Sequence, residues 1–461
     1  MAEKRSICLI NDSFPPVIDG VANAVTNYAS VIQRDYGDAT VVTPYYPDAD
    51  DSAYPFPVLR YPSIDMTKLV GYRAGFPLSA ELMEQVEGRH IDLIHSHCPV
   101  TSMVLARMLR QRLNVPLVFT YHTKFDIDIA NAIHSKLLQE ASIKLLVENI
   151  SACDEVWTVS RGAGENLRSL GYQGDYIVMP NGVDFPAGRV SEEKARAVGE
   201  GLDLPDGVPL FLFVGRMMWY KGLRIILDAL KKLKDEGRDF RMVFVGKGTD
   251  GDAIRAYAGE LDLRDKVFFL APCYDREIIR AWYCRADLFL FPSTFDTNGL
   301  VVREAAACGL PSVLIEDVTD GRNGFFIEEN ADSMAAMLRR LIPQRDLMRR
   351  VGENAQREIY LSWDDSIANA CRRYEVVLDN FRRGLYPVHD SRTDELLRGT
   401  AEYLDAVNRV RAARDQLRAA MDEDVRQWHD EVQENRLRAQ ENREKLQEKL
   451  TQLRQRIDRY L

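Results

Sequence analysis

Short runs of β-branched and other apolar residues alternate, along most of this chain, with longer segments whose apolar positions recur at helical spacing. Residues 7–10 are followed by a helical pattern over 21–32 and then by a strand-like run at 39–43. Residues 91–95 precede a helix over 100–113, and 115–121 precede one over 133–150. Runs at 155–160 and 176–179 close this first series. The runs are apolar at consecutive rather than alternate positions, so each strand is expected to be covered on both faces, as in parallel sheets flanked by helices.

Pro180-Asn181-Gly182-Val183-Asp184 then punctuates the chain, and a polar stretch to about residue 209 places a boundary near residue 187. The pattern restarts beyond it. Strands at 209–215, 240–246, 267–270 and 288–292 alternate with helices, of which the last runs over 299–308. Two doubly wound α/β domains, residues 1–187 and 188–361, set two rows of strand C-termini on either side of a cleft. A helix over about 362–385, starting at Trp363, is expected to cross back onto the first domain.

Residues 386–461 differ in kind, because strand signals, prolines and nearly all glycines disappear. Leu396, Tyr403, Val410 and Leu417 recur every seven residues. After an eight-residue step the repeat resumes at Val425, Val432, Ala439, Leu446, Leu453 and Tyr460, with Asn435 and Asn442 at core-like positions. This predicts a helical, imperfectly coiled-coil tail suited to homo-oligomerisation, or else a solvated helix folded back on the body or a helix in contact with a membrane.

Charge narrows the function classes. The 461 residues carry a net charge of −10, and the tail is balanced, so the acidic excess lies in the body. A general nucleic-acid binder is excluded. No apolar stretch approaches the roughly 18 residues that cross a bilayer as a helix. The first residues, Met-Ala-Glu-Lys-Arg-Ser, show no signal segment, so a cytoplasmic protein is expected. Seven dispersed cysteines read as reduced thiols, and no metal site is expected. Arg107, Arg110 and Arg112 lend the 100–113 helix a basic character, which with the 133–150 helix makes it a candidate for resting on an anionic bilayer.

Two segments carry chemistry. Val214-Gly215-Arg216, followed by Lys221-Gly222 at a helix start, joins free backbone N–H groups to a planar cation and a point cation, which suits a diphosphate. In Phe291-Pro-Ser-Thr-Phe-Asp-Thr-Asn-Gly-Leu-Val-Val-Arg-Glu304, two carboxylates, Asp296 and Glu304, flank Gly299. They suit the hydroxyls of a hexose and a ribose in one nucleotide sugar, while Asn298, Gly299 and Leu300 offer N–H groups to its phosphates. His95 and His97 read as supports of a strand end, with no carboxylate or third histidine expected near them. Asp126-Ile-Asp128 is discounted as a metal motif.

Together with Val245-Gly246-Lys247-Gly248, the Asn-Gly-Val-Asp turn and Tyr121-His122-Thr123, these segments resemble glycosyltransferase family four, retaining enzymes of the GT-B fold, over residues 5–380. The resemblance implies two Rossmann-like domains facing a cleft, with acceptor bound by the first and a nucleoside-diphosphate sugar by the second, and no metal or other cofactor. It assigns Arg216 and Lys221 to the diphosphate, Glu304 to the ribose and Asp296 to the sugar, and it sets His122 beside the anomeric carbon. Gly20 would let the first domain's backbone approach the donor phosphates, Gly246 and Lys247 would lie on the donor, and Lys124 and Asp126 on the acceptor. Asp296 stands where most of the family has Glu, and the stretch 312–321 is shorter than usual. The segment around Asp296 looks like the branch of bacterial enzymes that glucosylate diacylglycerol, which implies a lipid acceptor and peripheral attachment to the inner face of the plasma membrane. Transfer to a soluble sugar or polyol acceptor, a nucleotide-sugar epimerase, or an inert scaffold working through its tail are the alternatives.

Overall fold

The computed structural model describes residues 4–17, 19–67, 73–76, 79–123, 125, 129, 135–293, 299–316, 318–387 and 393–400, with isolated helical positions between 402 and 449. The apolar runs become two parallel sheets. The first joins β1 (Arg5–Ile10), β2 (Gly37–Pro44), β3 (Val58–Tyr61), β6 (Leu93–Ser96), β7 (Leu117–Tyr121), β8 (Glu155–Thr158) and β9 (Ile177–Val178) in the order β3-β2-β1-β6-β7-β8-β9. Between them β4 (Ser63–Asp65) and β5 (Arg73–Gly75) form a separate antiparallel hairpin. The second sheet joins β10 (Leu210–Val214), β11 (Arg241–Val245), β12 (Val267–Leu270), β13 (Leu288–Leu290), β14 (Ser312–Leu314) and β15 (Phe325–Phe326) in the order β12-β11-β10-β13-β14-β15.

Both orders run outward in two directions from the domain's first strand. Each sheet therefore has a switch point, between β1 and β6 and between β10 and β13, where connections leave toward opposite faces and open a crevice at the strand C-termini.

Helices cover both faces. In the first half they are α1 (Gly20–Val31), α2 (Ala80–Glu87), α3 (Thr101–Leu113), α4 (Lys136–Ser151) and α5 (Arg161–Ser169). In the second half they are α6 (Glu192–Ala197), α7 (Leu223–Asp235), α8 (Gly251–Glu260), α9 (Arg276–Arg285), α10 (Leu300–Ala307), α11 (Ala331–Leu341), α12 (Arg345–Glu358) and α13 (Trp363–Arg382). The last returns to the first half, where Trp363, Ile367, Ala370, Tyr374, Val377 and Leu378 share a core with Ile7, Leu9, Val25 and Tyr28. The two crossings between the halves touch. Val183 N–H donates to Leu361 O at 2.9 Å and Ser366 Oγ to Pro180 O at 2.6 Å. A Cβ on Gly182 would sit 2.3 Å from the Trp363 nitrogen, so glycine is what lets the two strands of this hinge lie together.

Two features depart from the sequence expectation, and the tail's start follows one of its readings. The edge strand β3, the β4–β5 hairpin and α2 are short and half-exposed, so no apolar run announces them. The three arginines of α3 form no free basic face: Arg107 pairs with Asp394 at 2.7 Å, Arg110 with Asp154 at 2.7 Å, and Arg112 with Glu87 at 3.1 Å. The tail's start is also part of the body. Residues 393–400 are helical, Leu397 is buried in the first-half core, and Thr393 donates to Glu148 at 2.6 Å. The later heptad series from Val425 lies outside the described residues. Among the described residues no helix is long and apolar enough to cross a membrane.

Candidate functional site

The second-half crevice collects the diphosphate candidates. At the end of β10, Gly215 adopts a positive φ of 154° and Arg216 follows, exposed, its carbonyl accepting from Met218 N–H at 3.0 Å and its guanidinium, among the described residues, without a hydrogen-bond or ion-pair partner. The chain then makes a 3-10 turn, Trp219–Lys221, closed by Gly222 in the left-handed region at φ 76°. A Cβ there would stand 2.1 Å from the carbonyl oxygen of Pro292, so Gly222 is what allows the turn to lie against the end of β13. Lys221 is thereby drawn in to 8% exposure, its Nζ 5.3 Å from the Phe291 ring centroid. A cation held against an aromatic face and kept from bulk water acts on a neighbouring charge at low local dielectric.

Gly246 and Gly248 serve the same loop by packing. Cβ atoms on them would fall 2.0 Å from Gly215 O and 2.2 Å from Met217 O. Lys247 is exposed, and its carbonyl accepts from Met217 N–H at 3.1 Å, while Asp250 accepts from Trp219 N–H at 2.9 Å. The Gly-Lys-Gly segment thus fixes the Arg216–Lys221 loop, which accounts for Gly246 without a donor contact.

Across the crevice, α10 begins at Gly299, left-handed at φ 59°, and among the described residues no side chain caps its first N–H groups. Uncapped N–H groups at a helix start attract an anion. One turn in, Glu304 is buried. Its Oε1 accepts from Arg276 Nη2 at 2.7 Å and its Oε2 from the Tyr283 hydroxyl at 3.0 Å. Burial pushes its carboxyl up, against the opposing pull of Arg276. The Arg276 guanidinium also lies 4.3 Å over the Phe185 ring, with Asp184 4.0 Å away. Sequence reasoning assigned no role to Arg276, Tyr283 or Phe185. Asp296 and Asn298 fall outside the described residues, as do Lys124 and Asp126.

In the first half, His122 follows β7 and is 7% exposed. Its Nε2 lies 2.9 Å from His97 Nδ1, and its Nδ1 3.4 Å from Asn181 Nδ2. Burial holds the His122 imidazole down to about 3, so it is neutral at ordinary pH. Here the structure corrects the sequence reading once. A third histidine does stand beside the His95/His97 pair, because β6 and β7 are neighbouring strands whose ends meet. A ring hydrogen bond from His122 to a sugar would also have to displace one of two existing contacts. His95 is held by Tyr374 at 2.6 Å and Thr120 at 2.7 Å. Among the described residues no group of three or more His, Cys, Asp or Glu is arranged to hold a metal ion.

Gly20 opens α1, whose N-terminal N–H groups of Val21 and Ala22 are already capped by Asp19. A Cβ on Gly20 would meet nothing within 4 Å, so internal packing does not demand glycine there. At the β1 switch point, Asp12 Oδ1 accepts from Ser102 N–H at 2.9 Å and from the Thr101 hydroxyl, while Oδ2 is buried and, among the described residues, without a partner. Its position just past a strand that points at a helix start was the available signal. Between the halves lies a cleft of about 610 Å³, lined by Ser160, Arg161 and Pro180 on one side and by Phe291, Gly299 and Arg303 on the other.

Comparison with known proteins accords with this geometry. The family model Glycosyltransferase Family 4 matches residues 18–185, and the model Glycosyl transferases group 1 matches residues 198–358. The D-inositol 3-phosphate glycosyltransferase of Nocardia farcinica is 32% identical over 332 residues, 66% of this chain and 71% of that protein. The alpha-monoglucosyldiacylglycerol synthase of Streptococcus pneumoniae is 22% identical over 352 residues, 74% of this chain and 79% of that protein. Among solved structures, sucrose-phosphate synthase from Thermosynechococcus elongatus aligns with a TM-score of 0.63 at 21% identity, covering 82% of this chain and all of that one. The Anabaena protein HepE in complex with UDP aligns at 0.62 with 18% identity, over 81% of this chain and all of that one.

Proposed function

We propose that this chain, which belongs to glycosyltransferase family 4 and is a glycosyltransferase built on two Rossmann-like domains, moves a hexose, glucose, from a uridine-diphosphate donor to a hydroxyl of diacylglycerol or a related membrane lipid, with retention. The observation that carries the reading is the convergence at one switch point of Arg216, the buried Lys221, the start of α10 and the buried Glu304. Two cations and a helix N-terminus stabilise charge on a departing diphosphate, where electrostatic preorganisation acts most strongly. Glu304 keeps lone pairs for ribose hydroxyls beyond those taken by Arg276 and Tyr283.

In this proposal His122, neutral and held by His97 and Asn181, shapes the face on which the acceptor approaches and transfers no proton. The leaving diphosphate oxygen takes the acceptor proton. Asp296 holds the sugar, Asn298, Gly299 and Leu300 present N–H groups to the phosphates, and Lys124 and Asp126 meet the acceptor. No metal or other cofactor takes part in the proposed reaction, and the enzyme works in the cytoplasm at the inner face of the membrane, associating through its C-terminal helices.

Glucose, UDP and the lipid are supported by the name of the S. pneumoniae relative and by the UDP and UDP-glucose complexes of HepE. A phosphorylated polyol acceptor is the second reading. It is favoured by the N. farcinica relative's name and by the ion-paired state of Arg107, Arg110 and Arg112, which leaves α3 no free basic face for anionic lipid. Release of nucleoside diphosphate from a panel of nucleotide sugars, with diacylglycerol vesicles or with an inositol phosphate, tests both. UDP released from UDP-glucose only with vesicles, in step with a glycolipid, is the expected result. Release that responds only to the soluble acceptor overturns the lipid assignment.

A further inference from the structure

The start of the tail is docked by one face only. Asp394 pairs with Arg107 and Leu397 enters the first-half core, so the helix is fixed to the body along its inner side. The outer side carries Leu396, Gly399, Tyr403, Ala406 and Val410, helical positions spaced alternately three and four residues apart, and all of them are exposed. Leu396, Tyr403 and Val410 are 70%, 68% and 71% exposed. A Cβ on Gly399 would meet nothing within 4 Å. The strip alternates large and small residues at coiled-coil spacing, and the described residues of the body do not cover it.

We infer that this strip pairs with the same strip of a second copy, in antiparallel orientation, to make a twofold dimer in which each large residue packs on a small one. A parallel pair would set Tyr403 against its own copy, forcing the helices apart, and Ala406 against its own copy, leaving a gap there. Reversing one helix removes the conflict. Tyr403 then faces Ala406 of the second copy and Val410 faces Gly399, with both reciprocal contacts generated by one axis passing between residues 404 and 405. A lipid surface would want a broad apolar face, whereas two of this strip's five residues are glycine and alanine, with charged Glu395 and Arg398 beside it. Because the inner face is pinned by Asp394 and Leu397, the pairing joins two first domains rather than two loose tails. It stands independently of the hexosyltransfer reading.

Sedimentation velocity of the full chain at micromolar concentration reads the mass, and twice the single-chain mass is expected. Ala406→Leu separates the orientations. It wedges against Tyr403 in the antiparallel pair and weakens association by roughly tenfold or more, whereas a parallel coil prefers leucine at that position and would tighten. The exchange Tyr403→Ala with Ala406→Tyr restores the large-on-small layers and the dimer. Under mild oxidation, Tyr403→Cys chains mixed with Ala406→Cys chains form a linked pair that neither variant forms alone, judged against wild type with its native thiols. A monomer, tighter association of Ala406→Leu, or cross-linking of Tyr403→Cys chains to themselves would each overturn the inference. All these positions are solvent-exposed in the single chain, so an unchanged thermal melt confirms that folding is intact.

Discussion

Replacing Lys221 by Ala removes a cation that is 8% exposed and held 5.3 Å from the Phe291 ring. At an effective dielectric near 20, a unit-charge pair about 4 Å apart is worth about 4 kcal/mol. Arg216 and the start of α10 share the leaving diphosphate's charge, so the expected loss is about 3–4 kcal/mol of transition-state stabilisation, or roughly 10²–10³ in kcat. The lost stem contacts with Phe291 and Tyr220 should cost about 1 kcal/mol of stability, a few degrees in Tm. Initial rates of UDP release, measured beside a thermal melt, separate the two effects. The reasoning is refuted by a Lys221→Ala enzyme that folds normally and keeps kcat/KM within about threefold of wild type, a difference under 1 kcal/mol.

Other outcomes follow from the same geometry. His95, His97 and His122 are buried and neutral in the folded chain, with His122 held down to about 3 and the other two well below their ordinary value. Unfolded histidines titrate near 6.5, so in the window below that the unfolded chain binds up to three more protons. Stability should fall as pH drops, by up to about 4 kcal/mol per unit, and a Tm unchanged between about pH 7 and 5 would contradict this. Arg276→Met leaves Glu304 buried without its cation, so its carboxyl should rise further and the donor KM increase by about tenfold or more, with the increase largest toward acid pH. Gly222→Ala places a Cβ 2.1 Å from Pro292 O at φ 76° and should cost at least about 2–3 kcal/mol, read from denaturant midpoints. Asp394→Ala strands Arg107, whose side chain is 2% exposed, and should cost about 3–5 kcal/mol by the same measurement.

Much of the fold was legible because buried parallel strands are apolar at every position, which gives the runs at 7–10, 115–121, 209–215 and 240–246 a signal that no exposed strand has. The half-exposed β3 and the β4–β5 hairpin carry no such signal. At the site, Gly222 and Gly246 were readable as glycines in motifs, but their reason was not. Only the structure shows that Pro292 and Gly215 stand where their side chains would be. Arg276 and Tyr283 escaped notice because they reach Glu304 from a different helix, 28 and 21 residues away in sequence, with no motif around them. His122 shows the converse: its importance could be read from Tyr121-His122-Thr123, but its engagement by His97 and Asn181 depends on strand order, which pattern alone does not give. The α3 arginines suggested a basic surface because their partners, Asp394 among them, lie far away along the chain.

The central claim, hexosyl transfer with retention, is tested most directly by incubating the full chain with UDP-glucose and diacylglycerol vesicles and reading the anomeric proton coupling of the glycolipid by NMR. An α-linked product, carrying the configuration of the donor, is predicted. A β-linked product, or UDP released with free glucose and no glycolipid, would contradict the account.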